Sequence, residues 1–160
     1  MSNGSGGRDS FGGKENAGGG DTSGKEGAEP LLSICLAGSK RTFSAGDELI
    51  CEYQIDAVDP ADIQAVEASV VWYTEGKGEE DMGVHYFERR LPTDAEDGDL
   101  RPMRRLRTRL PNSPLTYTGA ILAIRWCVRL RLFLRRGREF VLEHPFTLGA
   151  VPIVAPTIVG

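Results

Sequence analysis

The chain has 160 residues, of which 40% are hydrophobic and 26% charged, and its formal net charge at pH 7 is −4. This size suits one domain with a single core and a tail. The net charge is negative, and the arginine-rich strands of the second half carry few outward aromatic side chains on which bases could stack, which argues against general nucleic-acid binding. No apolar run approaches the roughly 18–20 residues that span a bilayer.

The composition divides the chain into three parts. Residues 1–29 are rich in glycine and small polar groups, with Phe11 as the one large apolar side chain after Met1. Such a segment buries too little surface to offset the entropy of ordering, so we predict a disordered tail. Residues 30–150 are left for the folded domain. Residues 151–160 contain two prolines, and we predict an extended tail that pairs at a sheet edge or frays.

The cysteines and the N-terminus indicate a cytoplasmic protein. The N-terminal segment lacks the apolar core of a secretory signal. Cys35, Cys51 and Cys127 are odd in number, with no close pair, so we expect three reduced thiols. By strand phase, Cys51 should point inward, and Cys35 and Cys127 outward.

Seven segments show the period-2 alternation of half-buried strands, separated by turn residues. They lie at about 32–36, 49–55, 65–74, 83–89, 106–110, 120–134 and 140–148. The buried phase of 83–89 is unclear from the sequence. At most one helical turn fits the sequence, near Asp59–Ile63, and we expect a hairpin turn at 135–138.

The sixth segment is the longest and the most regular. Its apolar phase is Leu122, Ile124, Trp126, Val128, Leu130, Leu132 and Leu134, and arginines occupy the opposite phase. One face should therefore be buried and the other should be a basic, solvated surface. Trp72 and Trp126 both fall on inward phases, so we expect both in the core.

Seven short strands with turn-rich connections and no convincing helical periodicity predict an all-β fold. The expected architecture is an antiparallel, immunoglobulin-like β-sandwich of about seven strands.

Three segments together resemble the arrestin-like fold family. They are the opening pair LLSICLAGSKRTFSAGDELICEYQI, the strand at 65–73 with its charged loop, and the run from LPNSP through Tyr117 and Gly119 to Ile124-Arg125-Trp126. The resemblance covers about residues 31–149, which is one sandwich where arrestins have two. It implies the fold and a non-enzymatic adaptor or scaffold role, and it indicates no particular partner.

The arginines are the candidate binding residues. Residues 31–103 contain 6 basic and 16 acidic groups, whereas residues 104–160 contain 10 basic and 2 acidic ones. Six arginines on outward phases are the candidates: Arg105, Arg107, Arg109, Arg125, Arg129 and Arg131. Guanidinium groups bind phosphate, anionic lipid or acidic protein segments. The alternative is a solvated face paired with acids such as Glu48, Glu52 and Glu67, since like charges side by side destabilise a sheet.

The sequence offers no catalytic or metal-binding constellation. His85 and His144 are the only histidines, and neither accompanies a recognisable nucleophile. Cysteine and histidine pairs at zinc-binding spacing are missing. The acidic stretches at 75–81 and 94–99 lack calcium-loop spacing, so solvated loops are the better interpretation. We expect no enzymatic activity, no cofactor and no metal.

The predicted function is therefore a non-catalytic interaction module that binds a protein partner, an acidic one in particular, through sheet edges and the arginine-rich face. The alternative is a peripheral domain that recognises anionic membrane headgroups. A homo-oligomer is compatible with the sequence.

Overall fold

The structure is a computed structural model that describes residues 29–149. The predicted tails lie outside the described residues, except for Glu29. Within the described range there are nine strands: β1 (Leu31–Leu36), β2 (Thr42–Phe43), β3 (Glu48–Asp56), β4 (Ile63–Gly76), β5 (Met82–Arg90), β6 (Arg104–Arg109), β7 (Tyr117–Thr118), β8 (Leu122–Leu134) and β9 (Glu139–Leu148). Short 3-10 turns lie at Ala37–Ser39, Pro60–Asp62, Pro92–Asp94 and Arg135–Gly137.

The strands form two sheets packed as a sandwich. The small sheet has the order β1-β3-β6, and the large sheet has the order β2-β9-β8-β4-β5, with β7 paired to β8. All pairs are antiparallel except the two-residue pair of β2 with β9. The predicted all-β sandwich is confirmed, and its seven predicted strands correspond to the seven longer ones.

The core lies between the sheets, where the inward phases of β3 and β8 meet. On β3, alternate residues from Leu49 to Ile55 are at most 3% exposed, and on β8 Trp126 is 1% exposed. The Trp126 indole N–H donates to the Pro114 carbonyl oxygen at 2.8 Å. Trp126 is thus a core residue as predicted. Trp72 packs against the core but is only partly buried.

From Ala65 to Val71, strand β4 is buried on both of its faces. Its inward residues contact the core, and its outward residues Ala65, Glu67, Ser69 and Val71 are buried too. Cys127 on the neighbouring strand β8 lies opposite Val71 and is 1% exposed. The outward phase predicted for Cys127 is correct, but side chains on the outer face cover the thiol. The three cysteines are free thiols.

A β-bulge explains the mixed pattern of residues 83–89. The register of β4 with β5 shifts between Val70 and Val71, so that His85 is the additional residue on β5. Val84 therefore shares the outer face with Phe87, and His85 turns toward Trp126.

Within the described residues, no helix is long and apolar enough to cross a membrane.

Candidate interaction surfaces

The six candidate arginines lie on two strands that belong to different sheets. Arg105, Arg107 and Arg109 project from β6 on the outer face of the small sheet, and we name them the β6 arginines. Arg125, Arg129 and Arg131 lie on β8, on the outer face of the large sheet, and we name them the β8 arginines. The outer faces of a sandwich point in opposite directions. The structure therefore has two arginine surfaces, and the single basic face expected from the sequence is wrong.

Each of the β8 arginines contacts a glutamate. The pairs are Arg125 with Glu75 (3.4 Å), Arg129 with Glu143 (2.9 Å), and Arg131 with Glu139 (2.6 Å) and Glu67 (3.5 Å). These pairs agree with the alternative interpretation of a solvated, paired face. Alternating signs across neighbouring strands stabilise such a face, and little unpaired positive charge is left there for an anionic ligand.

Glu67 is the centre of the charged network on the large sheet. Its carboxylate accepts a hydrogen bond from Arg89 at 2.7 Å and lies 3.5 Å from Arg131. The Glu67 side chain is only 11% exposed, and both guanidinium groups also lie over the Phe133 ring. A carboxylate this buried requires such partners. The sequence named Glu67 as a pairing acid but gave no sign of its burial.

The β6 arginines are less engaged than those on β8. Arg105 donates to Glu52 at 2.6 Å, and Arg107 lies 4.0 Å from Glu48. Arg109 forms no ion pair within residues 29–149, and its guanidinium contacts only the Gly46 carbonyl oxygen at 3.5 Å. The side chains of Arg105 and Arg107 are 54% and 57% exposed, compared with 41%, 23% and 39% for Arg125, Arg129 and Arg131.

Strand β6 is also an edge strand, and its free edge belongs to the same three residues. Leu110, the residue after β6, donates its N–H to Asp47 at 2.8 Å and accepts from Gly46 at 3.0 Å. Because backbone groups alternate in direction along an antiparallel strand, the N–H and C=O groups of the β6 arginines point away from β3. The ring of His85 confirms this direction, since its Nε2 lies 2.8 Å from the Arg109 carbonyl oxygen.

Side chains of β5 hold the two ends of the β6 edge. His85 lies at the Arg109 end, and Glu88 pairs with Arg104 at the other end. The backbone groups of Arg105 and Arg107 between these contacts have no hydrogen-bond partner within the described part of the chain. This short stretch is therefore where an extended segment has both backbone groups and guanidinium groups to bind.

No nucleophile and base are arranged for catalysis in residues 29–149. The nearest candidate pair is His85 Nε2 and the Thr108 hydroxyl, 3.0 Å apart. A carbonyl oxygen only accepts hydrogen bonds, so the contact with Arg109 requires the proton on Nε2, and this nitrogen cannot accept the Thr108 proton. Burial raises the pKa of Cys51 to about 12 and that of Cys127 to about 11, which leaves both thiols protonated. No cluster of three or more metal-ligating side chains exists among these residues.

The comparisons with known proteins concern the fold. No protein-family model matches the sequence, and no curated protein matches it. Among solved structures, the fold is similar to that of Spo0M, a sporulation control protein from Bacillus subtilis, with a TM-score of 0.53 and 11% sequence identity. The match covers 77% of this chain and 50% of that one, so the described sandwich corresponds to about half of Spo0M. The predicted arrestin-like fold is confirmed.

Proposed function

We propose that this chain is a non-catalytic protein-interaction module that binds an extended, acidic segment of a partner protein along β6. One observation supports this proposal above the others. The three residues whose backbone groups point toward the open edge of the small sheet also have exposed side chains, and those of Arg105 and Arg107 are 54% and 57% exposed.

An added strand would bind through both of these features. Its backbone would pair with Arg105 and Arg107, as in other strand additions to a sheet edge. Its outward side chains would then lie beside the β6 arginines, where carboxylates accept charge-assisted hydrogen bonds. Arg109 has no acidic partner in residues 29–149, and the Arg107 guanidinium lies 4.0 Å from the Glu48 carboxylate. A ligand carboxylate that binds these two arginines therefore displaces no close ion pair.

The β8 arginines support the membrane alternative less well. Each contacts a glutamate of a neighbouring strand. Anionic headgroups would have to compete with these carboxylates, which are held in place by the sheet. We therefore favour the protein partner, and sedimentation with vesicles containing anionic lipid serves as the test of the alternative.

A labelled peptide that alternates Glu and Thr is a suitable probe. Its binding is followed by fluorescence anisotropy at low salt, where charge pairs are least screened. We expect the triple variant Arg105→Gln/Arg107→Gln/Arg109→Gln to bind about tenfold more weakly, from three exposed pairs of about 0.5 kcal/mol each. The matched control is Arg125→Gln/Arg129→Gln/Arg131→Gln, which removes the same charge from the other sheet and should leave binding unchanged.

Two further peptides separate charge from backbone pairing. A peptide with Gln in place of Glu should bind weakly, because it lacks the carboxylates. A Glu peptide that is N-methylated at alternate residues keeps its charge but loses half of its N–H donors, and it should also bind weakly. Equal losses in the two triple variants, or undiminished binding of the methylated peptide, would contradict the proposed site.

A further inference from the structure

Strand β5 presents an exposed apolar edge on the large sheet. It is the last strand on its side of that sheet, and its side chains Met82, Val84 and Phe87 are 52%, 55% and 57% exposed. All three lie on the outer face, opposite Tyr73, Val71 and Ser69 of β4. A long edge strand with exposed apolar side chains is prepared to pair with another strand.

The same residues direct their backbone groups away from β4. Thr74 N–H donates to the Asp81 carbonyl oxygen at 2.9 Å, so the backbone of Met82 and Val84 points outward by alternation. Beyond the bulge at His85, the outer-face residues Phe87 and Arg89 take the same direction. The Met82 N–H is held at 2.9 Å by the Asp81 carboxylate next to it.

The charges around β5 are arranged in opposite signs at its two ends. The acidic run Glu79-Glu80-Asp81 precedes the strand, and Arg89 and Arg90 end it. A strand that pairs antiparallel with an identical strand brings the first end of each copy against the last end of the other. The charge pattern of β5 is thus complementary to itself in the antiparallel orientation.

From these observations we propose that β5 pairs antiparallel with β5 of a second copy of this chain, around a twofold axis. The outward residues of both copies meet in one register, with Val84 opposite Phe87 of the second copy and Met82 opposite Arg89 of the second copy. This register also places Asp81 opposite Arg90 of the second copy. Because the interface is isologous, each of these residue pairs occurs twice in the dimer.

Pairing in this way covers the exposed apolar edge and joins the two large sheets into one. The Met82 N–H then donates to the Arg89 carbonyl of the second copy, which releases the Asp81 carboxylate for Arg90 of the second copy.

This pairing does not rest on the proposed peptide binding at β6. Both edges lie on the same side of the sandwich, since β5 contacts β6 through His85 and Glu88. The peptide titration is therefore run on dilute protein, where the monomer prevails.

Charge exchange tests both the association and its register. Sedimentation velocity of the full chain from micromolar to submillimolar concentration should show a monomer–dimer equilibrium, as expected of a small interface. Asp81→Arg or Arg90→Glu alone should weaken association by about tenfold or more, because each places like charges together twice. The double variant should restore association, since its opposite charges meet again.

A mixture of the two single variants makes the test specific to the antiparallel register. At positions 81 and 90, the Asp81→Arg variant has two basic side chains and the Arg90→Glu variant has two acidic ones. The mixture should therefore form a heterodimer, although neither variant associates with itself. Glu96→Arg is the matched control for Asp81→Arg. It replaces an acidic side chain by Arg on an exposed loop and should leave association unchanged. Circular dichroism checks that each variant is folded.

Substitutions at exposed apolar positions provide a second test of the dimer that does not depend on the charge exchange. Phe87→Lys should abolish the dimer, whereas Val141→Lys should not, because Val141 is 50% exposed on the same face but on β9, away from the edge. A wild-type chain that stays monomeric throughout, or folded single variants whose mixture fails to associate, would overturn the proposal.

Discussion

Replacing Trp126 by Ala tests the register of the longest strand. The side chain is 1% exposed, and its ring centroid lies 5.8 Å from that of Phe146. Truncating a buried aromatic residue costs about 3–5 kcal/mol, and the unpaired Pro114 carbonyl adds about 1 kcal/mol. A loss of this size is a large part of the roughly 5–15 kcal/mol that stabilises a typical domain. The melting temperature should fall by roughly 15–25 °C.

The neighbouring residue Arg125 supplies the matched comparison. Its side chain is 41% exposed and lies 3.4 Å from Glu75, so Arg125→Gln should cost less than about 1 kcal/mol. Trp126→Phe keeps an apolar ring and removes the hydrogen bond, so it should fall between the two. Urea unfolding followed by far-UV circular dichroism measures all three, because this signal does not depend on the indole that is removed. Equal and large losses at Trp126 and Arg125 would refute the assignment of a buried and a solvated face to β8.

Two further predictions concern the cysteines and a glycine of β5. In the native state, Ellman's reagent should modify Cys35 rapidly, whereas Cys51 and Cys127 should react only on unfolding. Burial raises the pKa values of Cys51 and Cys127 to about 12 and about 11 and excludes the reagent from both thiols. Rapid reaction of all three thiols would contradict the burial of Cys51 and Cys127. Gly83→Ala should destabilise the domain by about 1–3 kcal/mol, because the new methyl carbon would overlap the indole ring of Trp72 at Nε1. In a Trp72→Leu background the same change should cost less, and an equal cost in both backgrounds, measured by urea unfolding, would rule out this contact.

The alternation of apolar residues predicted the strands and most of their buried faces. On β3, the inward phase from Leu49 to Ile55 is buried as expected. On β8, the phase from Trp126 to Leu134 is buried, while Leu122 at its beginning is 38% exposed. Alternation reports the two faces of one strand, and this information is sufficient where a strand is long and has one solvated face.

Alternation does not report which sheet a strand joins. The β6 and β8 arginines share the same outward phase in the sequence, yet their strands belong to different sheets. That division depends on long-range pairing, and no local pattern encodes it. The two-residue strands β2 and β7 are too short to show a period, so they were not predicted.

Burial on the outer face was equally hidden from the sequence. Glu67 and Cys127 lie on outward phases but are buried, because long side chains of neighbouring strands cover the middle of the large sheet. The bulge at His85 also reverses the phase within β5. A one-residue insertion of this kind reads as a loss of pattern, which is why residues 83–89 showed no clear buried face.

Amide hydrogen exchange along β6 tests the proposed function most directly. Arg105 and Arg107 have N–H groups that point to the open edge, so they should exchange quickly in the free protein, whereas the N–H of Leu106 points to β3 and should be protected. Adding the alternating Glu-Thr peptide should slow exchange at Arg105 and Arg107 and leave the outward amides of β5 unchanged. Peptide binding that leaves the exchange of Arg105 and Arg107 unaltered would contradict the proposed site.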